Sequence, residues 1–309
     1  MSQKGSRLPF SSLSVVVPCF NEDANVIEIH RRITSLCREL PLECELIFVD
    51  DGSSDNTWKC IVELASTDSA VRGVRLSRNF GQQEALLAGL ESSRGDLVVT
   101  LDADLQDPPE VLPEMITQAE KGAFVVYGRR NRRRHDPILK RFFAASFYAV
   151  IRRATGLDIP ANTGEFRLAR REVINAVLRL REGRPFLRGM FAWVGFTRAY
   201  VEYERPERFA GQPKFTFSRS LQLALDAFVS FSALKQRLLF LLGVFVLAFA
   251  VAAVLSAGIF GVSDGLNQAL FFVLLGSFGA YLVILSFLSN DAPNSQRPNF
   301  IVQETVGYS

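Results

Sequence analysis

The hydrophobic positions in the N-terminal half of the chain fall into short runs that alternate with helical stretches. Strand-like apolar runs recur at 13–17, 45–49, 73–76, 96–101 and 123–127. Amphipathic patterns with helical spacing occupy 24–39, 55–66, 82–92 and 109–120. Short apolar runs separated by helices are typical of parallel strands that are covered on both faces. The pattern therefore predicts an α/β fold built on a doubly wound, mostly parallel sheet.

The C-terminal third has a different pattern. No charged residue occurs from Leu238 to Ser263 or from Gly265 to Asn290, and each run holds 26 residues. A helix needs about 20 residues to cross the hydrocarbon core of a bilayer. The runs therefore predict a hairpin of two transmembrane helices, at 238–261 and 268–289. Two buried helices of a soluble domain are the alternative, which the length and the absence of a polar stripe disfavour.

Basic residues flank the outer ends of this predicted hairpin, whereas its connecting turn carries only Asp264. The positive-inside rule then predicts that the N-terminal domain and the C-terminal tail both lie in the cytoplasm. We expect a multi-pass protein of the bacterial inner-membrane type. The basic residues that flank the two spans are Lys235, Arg237 and Arg297.

Four regions follow from these patterns. A catalytic domain would occupy 1–215 and a juxtamembrane amphipathic helix 216–237, followed by the hairpin within 238–290 and a cytoplasmic tail at 291–309. A basic and aromatic helix is also predicted at 137–153. Such helices next to a membrane anchor usually lie in the interface plane. Packing of the 137–153 helix on the sheet is an equally good interpretation.

The charge is unevenly distributed although the net charge is only +3. From Arg129 to Arg188 the sequence contains 16 Lys and Arg against 5 Asp and Glu. This excess favours an anionic partner, such as a phosphate, a nucleic acid or a lipid headgroup surface. No nucleic-acid recognition motif accompanies the basic residues, so nucleic-acid binding is the weakest of the three.

Acidic residues follow three of the predicted strands. Glu22 comes after the first, Asp51 ends the second, and Asp102 and Asp104 follow the fourth. The carboxyl ends of parallel strands share one rim, so we expect these side chains to converge. Two carboxylates spaced i, i+2 repel each other unless a cation lies beside them, and oxygen ligands favour Mg²⁺ or Mn²⁺ shared with substrate phosphates. A solvated acidic loop is the alternative.

Two phosphate-binding motifs are absent from the sequence. No Gly-x-Gly-x-x-Gly follows the first strand, and no Gly-x-x-x-x-Gly-Lys-Ser/Thr occurs. These motifs hold phosphates on backbone N–H groups. Their absence argues against a dehydrogenase or an NTPase, and it suggests that a diphosphate would be held through a metal.

Five segments in order resemble one family. They read VVVPCFNE at 15–22, FVDDGSSDNT at 48–57, LSRNFGQQEALLAGL at 76–90, LDADLQDPPE at 101–110 and RFAGQPKF at 208–215. With them the chain resembles the family 2 glycosyltransferases of the glycosyltransferase-A fold. Within that family it resembles the polyprenyl-phosphate glycosyltransferases, which include dolichol-phosphate mannose synthases and, more closely, bactoprenol glucosyltransferases. The paired membrane spans also fit this subgroup.

The resemblance implies roles for individual residues. Asp102, Asp104 and Gln106 would bind the metal, and Arg130 would face the phosphates. Arg208 and Lys214 would lie on a loop that closes over the donor. The positions that match nucleotide-sugar-binding residues are Pro18, Phe20, Glu22, Val49, Asp51, Asp102 and Ala103.

Two positions depart from the bactoprenol subgroup. Glu165 stands where an aspartate is usual, in the segment Gly-Glu-Phe-Arg-Leu, and it is a candidate for positioning the acceptor or serving as a base. The longer side chain would change that geometry. Pro213 stands where Ser is common and would stiffen the loop that carries Lys214.

The expected reaction is inverting transfer of a sugar to the phosphate of a polyprenyl phosphate, with UDP-glucose as the favoured donor. Other UDP-sugars and GDP-mannose remain open. A processive polysaccharide synthase is an alternative, but its Gln-x-x-Arg-Trp motif is missing. An inactive membrane-tethered nucleotide-binding scaffold is another. We also expect self-association into a homo-oligomer, because two spans in one chain bury little surface within the membrane.

Overall fold

The computed structural model describes residues 9–130, 158–160, 163–180, 185–204, 240–252, 265–288 and 298–308. The predicted helices at 137–153 and 216–237 lie outside these residues. So do the site candidates Arg208 and Lys214.

The first half of the chain alternates strands and helices, as its hydrophobic pattern predicts. Strands β1 to β4 span Ser12–Cys19, Glu43–Asp50, Val71–Leu76 and Leu97–Thr100. Helices α1 to α3 span Asp23–Glu39, Thr57–Thr67 and Gln82–Ser92, and α4 spans Leu112–Glu120 after a 3₁₀ turn at Pro109–Val111. Strand β5 spans Val125–Arg130. These five strands and four helices are confirmed, and their ends differ from the predicted ones by at most three residues.

Three strands and two short helices were not predicted from the sequence, whereas the two helices near the C-terminus overlap the helices predicted at 238–261 and 268–289. Strands β6, β7 and β8 span Thr163–Arg170, Arg198–Tyr203 and Val302–Val306. Helices α5 and α6 span Arg171–Leu178 and Leu187–Trp193. Near the C-terminus, α7 covers 240–252 of the described residues and α8 spans Gly265–Leu288.

One eight-stranded sheet runs through the domain in the order β7-β5-β6-β4-β1-β2-β3-β8. Strands β1 to β5 and β7 point the same way, whereas β6 and β8 are antiparallel to their neighbours. The expected mostly parallel sheet is therefore present, with two antiparallel strands added. Charged residues interrupt the sequences of β6 (TGEFRLAR) and β8 (VQETV), so neither forms the short apolar run by which the other strands were predicted.

Alternating side chains of the strands enter two separate hydrophobic cores. Val15 and Val17 pack with α1, α2 and α4 on one face of the sheet, and Val16 packs with α3, α5 and α6 on the other. All three side chains are fully buried. Helices on both faces make the sheet doubly wound, which leaves the rim at the carboxyl ends of the strands as the place for a ligand.

The C-terminal strand β8 pairs with the edge strand β3. The indole N–H of Trp58 donates a hydrogen bond of 3.1 Å to Glu304 on β8. The Arg72 guanidinium on β3 lies 5.2 Å from the centre of the Tyr308 ring. These contacts attach β8 and the residues after it to the sheet.

Helices α7 and α8 approach closely at two glycines. A Cβ on Gly243 would lie 2.8 Å from the carbonyl oxygen of Gly279, so only glycine permits this contact. Large apolar side chains of both helices are exposed, among them Phe245 and Leu274. Among the described residues, no helix has both the length and the hydropathy that a bilayer crossing requires.

Candidate functional site

The site lies at the point of the sheet where the order of the strands reverses. From β1 the chain adds β2 and then β3 on one side, and it returns to place β4 on the other side of β1. Such a switch point opens a crevice at the carboxyl ends of the two strands. The β1–α1 loop with Phe20 and Glu22 borders this crevice, and the turn with Asp102 and Asp104 follows β4.

The turn after β4 is tightly folded. The backbone N–H of Gln106 donates a hydrogen bond of 3.1 Å to Asp104. Leu105 between them has a φ of 58°, a left-handed conformation that costs a leucine about 1–2 kcal/mol, and its side chain is buried in the core. Packing of Leu105 therefore fixes the turn that brings the predicted metal-binding residues together.

Negative charge accumulates at this turn. Burial raises the pKa of Asp102, and the neighbouring carboxylates of Asp107, Asp104 and Glu165 raise it further. The side-chain amide of Gln82, the first residue of α3, donates a hydrogen bond of 2.6 Å to Asp102. A bound cation would relieve the remaining repulsion.

The donor set fits a divalent cation that shares its coordination with substrate. Asp102, Asp104 and Gln106 supply hard oxygen atoms, and Mg²⁺ is usually bound through one or two carboxylates together with phosphates. Among the described residues, no group of three or more His, Cys, Asp or Glu side chains is placed to hold a metal. The three predicted residues offer two carboxylates and one amide oxygen.

The predicted nucleotide-binding residues lie on the side of the crevice that is formed by the ends of β1 and β2. Pro18 pairs in register with Val49, and both are buried. Asp51 accepts hydrogen bonds from the backbone N–H groups of Phe80 at 2.8 Å and Gly81 at 3.0 Å. Burial raises the pKa of Asp51 to about 6. Asp51 thus connects the end of β2 to the loop that precedes α3.

The loop that carries Phe20 and Glu22 is held by side chains from the β2–α2 loop and from the first residue of α2. The backbone N–H of Asn21 donates to Ser53 at 2.9 Å, and that of Glu22 donates to Thr57 at 2.8 Å. Asn21 has a φ of 51°, a region that asparagine tolerates better than most residues. The two loops that follow β1 and β2 therefore form one unit.

Glu165 lies at the same rim because β6 runs antiparallel and begins there. Its carboxylate is 4% exposed and is paired with Arg167 and with Arg188, the latter at 2.9 Å. Burial alone would raise the pKa of Glu165, but these two guanidinium groups hold it below its ordinary value. Both carboxylate oxygens are engaged, so the geometry favours a positioning role over that of a base.

Arg130 is also at the rim, at the end of β5. Its Nε donates a hydrogen bond of 3.2 Å to the hydroxyl of Tyr203, and its Nη2 lies 3.4 Å from Asp107. The Tyr203 hydroxyl donates a short hydrogen bond to the same oxygen of Asp107. Asp107 is completely buried. Three side chains from distant parts of the chain thus form one polar network.

Sequence reasoning missed four residues of the site. Gln82 and Asp107 lie inside two of the segments that carry the family resemblance. Their place in those segments could have marked them as candidates. Gln83 accepts a hydrogen bond from the backbone N–H of Leu187 at 3.0 Å, and it was available in the same way. Tyr203 had no signal, because its partner Asp107 is 96 residues away.

Fold and site together define a glycosyltransferase with a glycosyltransferase-A-like sheet. The chain belongs to glycosyl transferase family 2, whose family model matches residues 14–178. This match covers more than half of the chain and includes every strand from β1 to β6 apart from the first two residues of β1.

Relatives extend the similarity beyond the family domain. An uncharacterised glycosyltransferase of Synechocystis sp. is 37% identical over 280 residues, which cover 89% of this chain and 88% of that protein. A bactoprenol glucosyl transferase of Shigella phage SfV is 39% identical over 234 residues, covering 76% of each chain.

Solved structures support the fold. The mannosyl-3-phosphoglycerate synthase from Rubrobacter xylanophilus superimposes with a TM-score of 0.51 at 20% identity, covering 71% of this chain and 73% of that chain. At this identity the similarity concerns the fold alone.

Proposed function

We propose that this glycosyltransferase transfers a sugar, most favourably glucose from UDP-glucose, to the phosphate of a membrane polyprenyl phosphate. The observation that carries the proposal is the acidic turn of Asp102 and Asp104 at the switch point, with Arg130 beside it. The relatives named bactoprenol glucosyl transferase support the lipid acceptor and the glucosyl group.

The donor would lie across the rim. The nucleoside would bind between Phe20, Glu22 and Asp51, and the diphosphate would reach the turn at Asp102. Asp102, Asp104 and Gln106 would hold a Mg²⁺ or Mn²⁺ ion, which supplies positive charge to the diphosphate as the sugar departs. Arg130 would add a guanidinium, which forms strong charge-assisted hydrogen bonds to phosphate oxygens.

The reaction would be a single displacement. A phosphate oxygen of the acceptor attacks the anomeric carbon, the bond from that carbon to the diphosphate oxygen breaks, and nucleoside diphosphate leaves with the electron pair. A phosphate monoester has a second pKa near 6, so its attacking oxygen is already ionised at neutral pH. The ion-paired Glu165 is consistent with this chemistry, because no strong general base is needed.

Membrane attachment through the 238–290 hairpin is part of the proposal. Strands β7 and β8 belong to one sheet, so the chain between Glu204 and Pro298 must start and end on the same side of any membrane. An even number of crossings satisfies this condition, and the flanking Lys235, Arg237 and Arg297 favour the cytoplasmic side. The catalytic rim would then face a lipid phosphate on that side.

A transfer assay tests the function. The full chain in detergent micelles would be incubated with undecaprenyl phosphate, Mn²⁺ and radiolabelled UDP-glucose, and the label in the organic phase would be counted. UDP-galactose, UDP-N-acetylglucosamine and GDP-mannose are run in parallel. We expect lipid-bound label, with UDP-glucose the best donor. A different preferred donor would contradict the assignment of glucose, and no transfer from any donor would contradict the function.

Two variants of the same residue type sharpen the assay. Asp104→Asn removes a proposed metal ligand and is expected to lower transfer by about a hundredfold or more, the scale of an electrostatic contribution to catalysis. Asp96→Asn removes a carboxylate that binds Ser11 at the opposite end of β4, and activity should be retained. Equal activity of Asp104→Asn and Asp96→Asn would contradict the role of the turn.

A labelling experiment tests the hairpin separately. In intact cells, a membrane-impermeant maleimide should react with the Asp264→Cys variant and not with Ser309→Cys. Both variants reacting equally, or neither reacting until the cells are opened, would contradict the proposed topology.

A further inference from the structure

The network around Arg130 contains two residues to which the proposed function gives no role. Asp107 is completely buried and directly follows the predicted metal-binding residue Gln106. Tyr203 is the last residue of β7 and is 4% exposed. A buried carboxylate is costly unless it is paired, so its presence at a substrate-facing rim needs a reason.

The contacts indicate what Asp107 is paired with. One oxygen of Asp107 accepts the hydrogen bond of the Tyr203 hydroxyl and faces Arg130 Nη2 at 3.4 Å. The same hydroxyl accepts a hydrogen bond from Arg130 Nε at 3.2 Å. The hydroxyl therefore contacts both the carboxylate and the guanidinium, which also face each other directly.

Two glycines border this arrangement closely. A Cβ on Gly164 would lie 2.6 Å from Arg130 Nη2, and a Cβ on Gly128 would lie 3.0 Å from the Tyr203 ring. The Tyr203 ring packs edge-on against Phe166, with 5.6 Å between ring centres. Both ends of the network are thus held in place by backbone and core.

Arg130 keeps a surface toward the crevice. Its side chain is 28% exposed, whereas that of Asp107 is fully buried. Arg130 and Asp102 also influence each other electrostatically across the rim. Asp107 and Tyr203 therefore contact one edge of the Arg130 guanidinium. The guanidinium remains beside the acidic turn, where a diphosphate would lie.

We propose that Asp107 and Tyr203 are positioning residues that fix the guanidinium of Arg130 against the diphosphate of the donor. This inference rests on the proposed function. Charge on the diphosphate grows as the sugar departs, so a fixed guanidinium stabilises the transition state more than the bound donor. Loss of the Tyr203 hydroxyl should therefore lower kcat more than it raises the KM for the donor.

A double-mutant cycle tests the proposal. Tyr203→Phe keeps the ring against Phe166 and removes only the hydroxyl, and it is expected to lower kcat about tenfold, the scale for loss of an outer-shell partner. If Tyr203 acts through Arg130, the same substitution should change kcat less than about twofold in an Arg130→Gln background, because groups that act as a unit are non-additive. Asp107→Asn should behave in the same way as Tyr203→Phe.

Tyr200→Phe is the matched control. It removes a hydroxyl from the same strand, and its ring stacks on Tyr127 with 5.9 Å between ring centres, away from the network. Its kcat should equal that of the wild-type protein. A fall in kcat with Tyr203→Phe that is equally large in both backgrounds, or no fall at all, would overturn the positioning role.

The outcomes separate this inference from the proposed function. An active wild-type protein with unaffected Tyr203→Phe and Asp107→Asn variants refutes the positioning role and leaves the function intact. If the wild-type protein transfers no sugar, the same cycle is measured on the dissociation constant of UDP with Mn²⁺. Additive effects on that constant, or no binding of UDP at all, would then overturn the inference.

Discussion

The guanidinium of Arg130 occupies the space into which a side chain on residue 164 would project. A Cβ built on Gly164 would lie 2.6 Å from Nη2 of Arg130 and 3.2 Å from its Cζ. Gly164 is on β6, next to Glu165, and Arg130 ends β5. A glycine at this position is therefore a condition for the conformation of Arg130 described above.

The substitution Gly164→Ala should displace Arg130 while leaving the sheet intact. The new methyl group would force the guanidinium away from Tyr203 and Asp107, and we expect kcat to fall about a hundredfold, as for loss of one positioned donor. Steady-state transfer assays would measure the change. In an Arg130→Ala background the clash disappears, so Gly164→Ala should then have no effect. A loss of equal size in both backgrounds would contradict this explanation.

The amide of Gln82 leads to a prediction about metal dependence. Gln82→Glu would add a carboxylate next to Asp102, where Asp104, Asp107 and Glu165 already repel. Without metal, the melting temperature should fall by several degrees, which corresponds to about 1–2 kcal/mol. Mn²⁺ should recover most of this loss, because a cation beside Asp102 offsets the added charge. Thermal unfolding with Mn²⁺ and with a chelator would measure both.

Gln118→Glu, on α4, is the control for this prediction. It introduces the same charge in a partly exposed position away from the rim. Its melting temperature should respond to Mn²⁺ as that of the wild-type protein does. An identical response of the Gln82→Glu and Gln118→Glu variants would show that no cation binds beside Asp102.

The raised pKa of Asp51 predicts that the stability of the protein depends on pH. Burial raises the pKa of Asp51 from 3.8 to about 6, so the folded state binds a proton that the unfolded state has released between these values. The contribution of Asp51 to the free energy of unfolding is therefore most favourable below about pH 4, and it is lost as the pH rises through about 6. The full change is about 3 kcal/mol, since one pKa unit corresponds to about 1.4 kcal/mol.

The Asp51→Asn variant isolates this effect. Residue 51 does not titrate in this variant. The free energy of unfolding of the variant minus that of the wild-type protein should therefore increase as the pH rises from about 4 to about 7. Urea unfolding monitored by the fluorescence of Trp58 and Trp193 would measure the difference. A difference that stays constant across this pH range would show that Asp51 has an ordinary pKa in the folded protein.

The sequence allowed the first half of the fold to be predicted well because each apolar run there is bounded by turn residues. The acidic turn at Asp102 and Asp104 was predicted for the same reason, since it directly follows a buried strand. The network of Asp107, Tyr203 and Arg130 was not predictable in this way. It depends on the antiparallel insertion of β6 and on the pairing of β5 with β7, and neither leaves a periodic pattern in the sequence.

The C-terminal strand gives the last prediction. Gly307 follows β8 with a φ of 79°, and a Cβ there would lie 2.4 Å from the carbonyl oxygen of Val71 on β3. Gly307→Ala should therefore break the end of the β3–β8 pairing. Gly122→Ala is the control, because Gly122 also has a positive φ, 107°, but a Cβ there would meet nothing within 4 Å. Both variants carry backbone strain, and only Gly307→Ala carries the clash.

We expect Gly307→Ala to lower the free energy of unfolding by about 1–3 kcal/mol more than Gly122→Ala, the usual scale for overpacking. Amide hydrogen exchange should also become faster in β3 and β8 of the Gly307→Ala variant alone, because opening of the edge strand exposes both. Since β8 returns the chain to the sheet after the 238–290 segment, faster exchange that also reaches β2 would show that this attachment stabilises the side of the crevice formed by β1 and β2. Equal stability of the two variants would mean that β8 contributes little to the sheet.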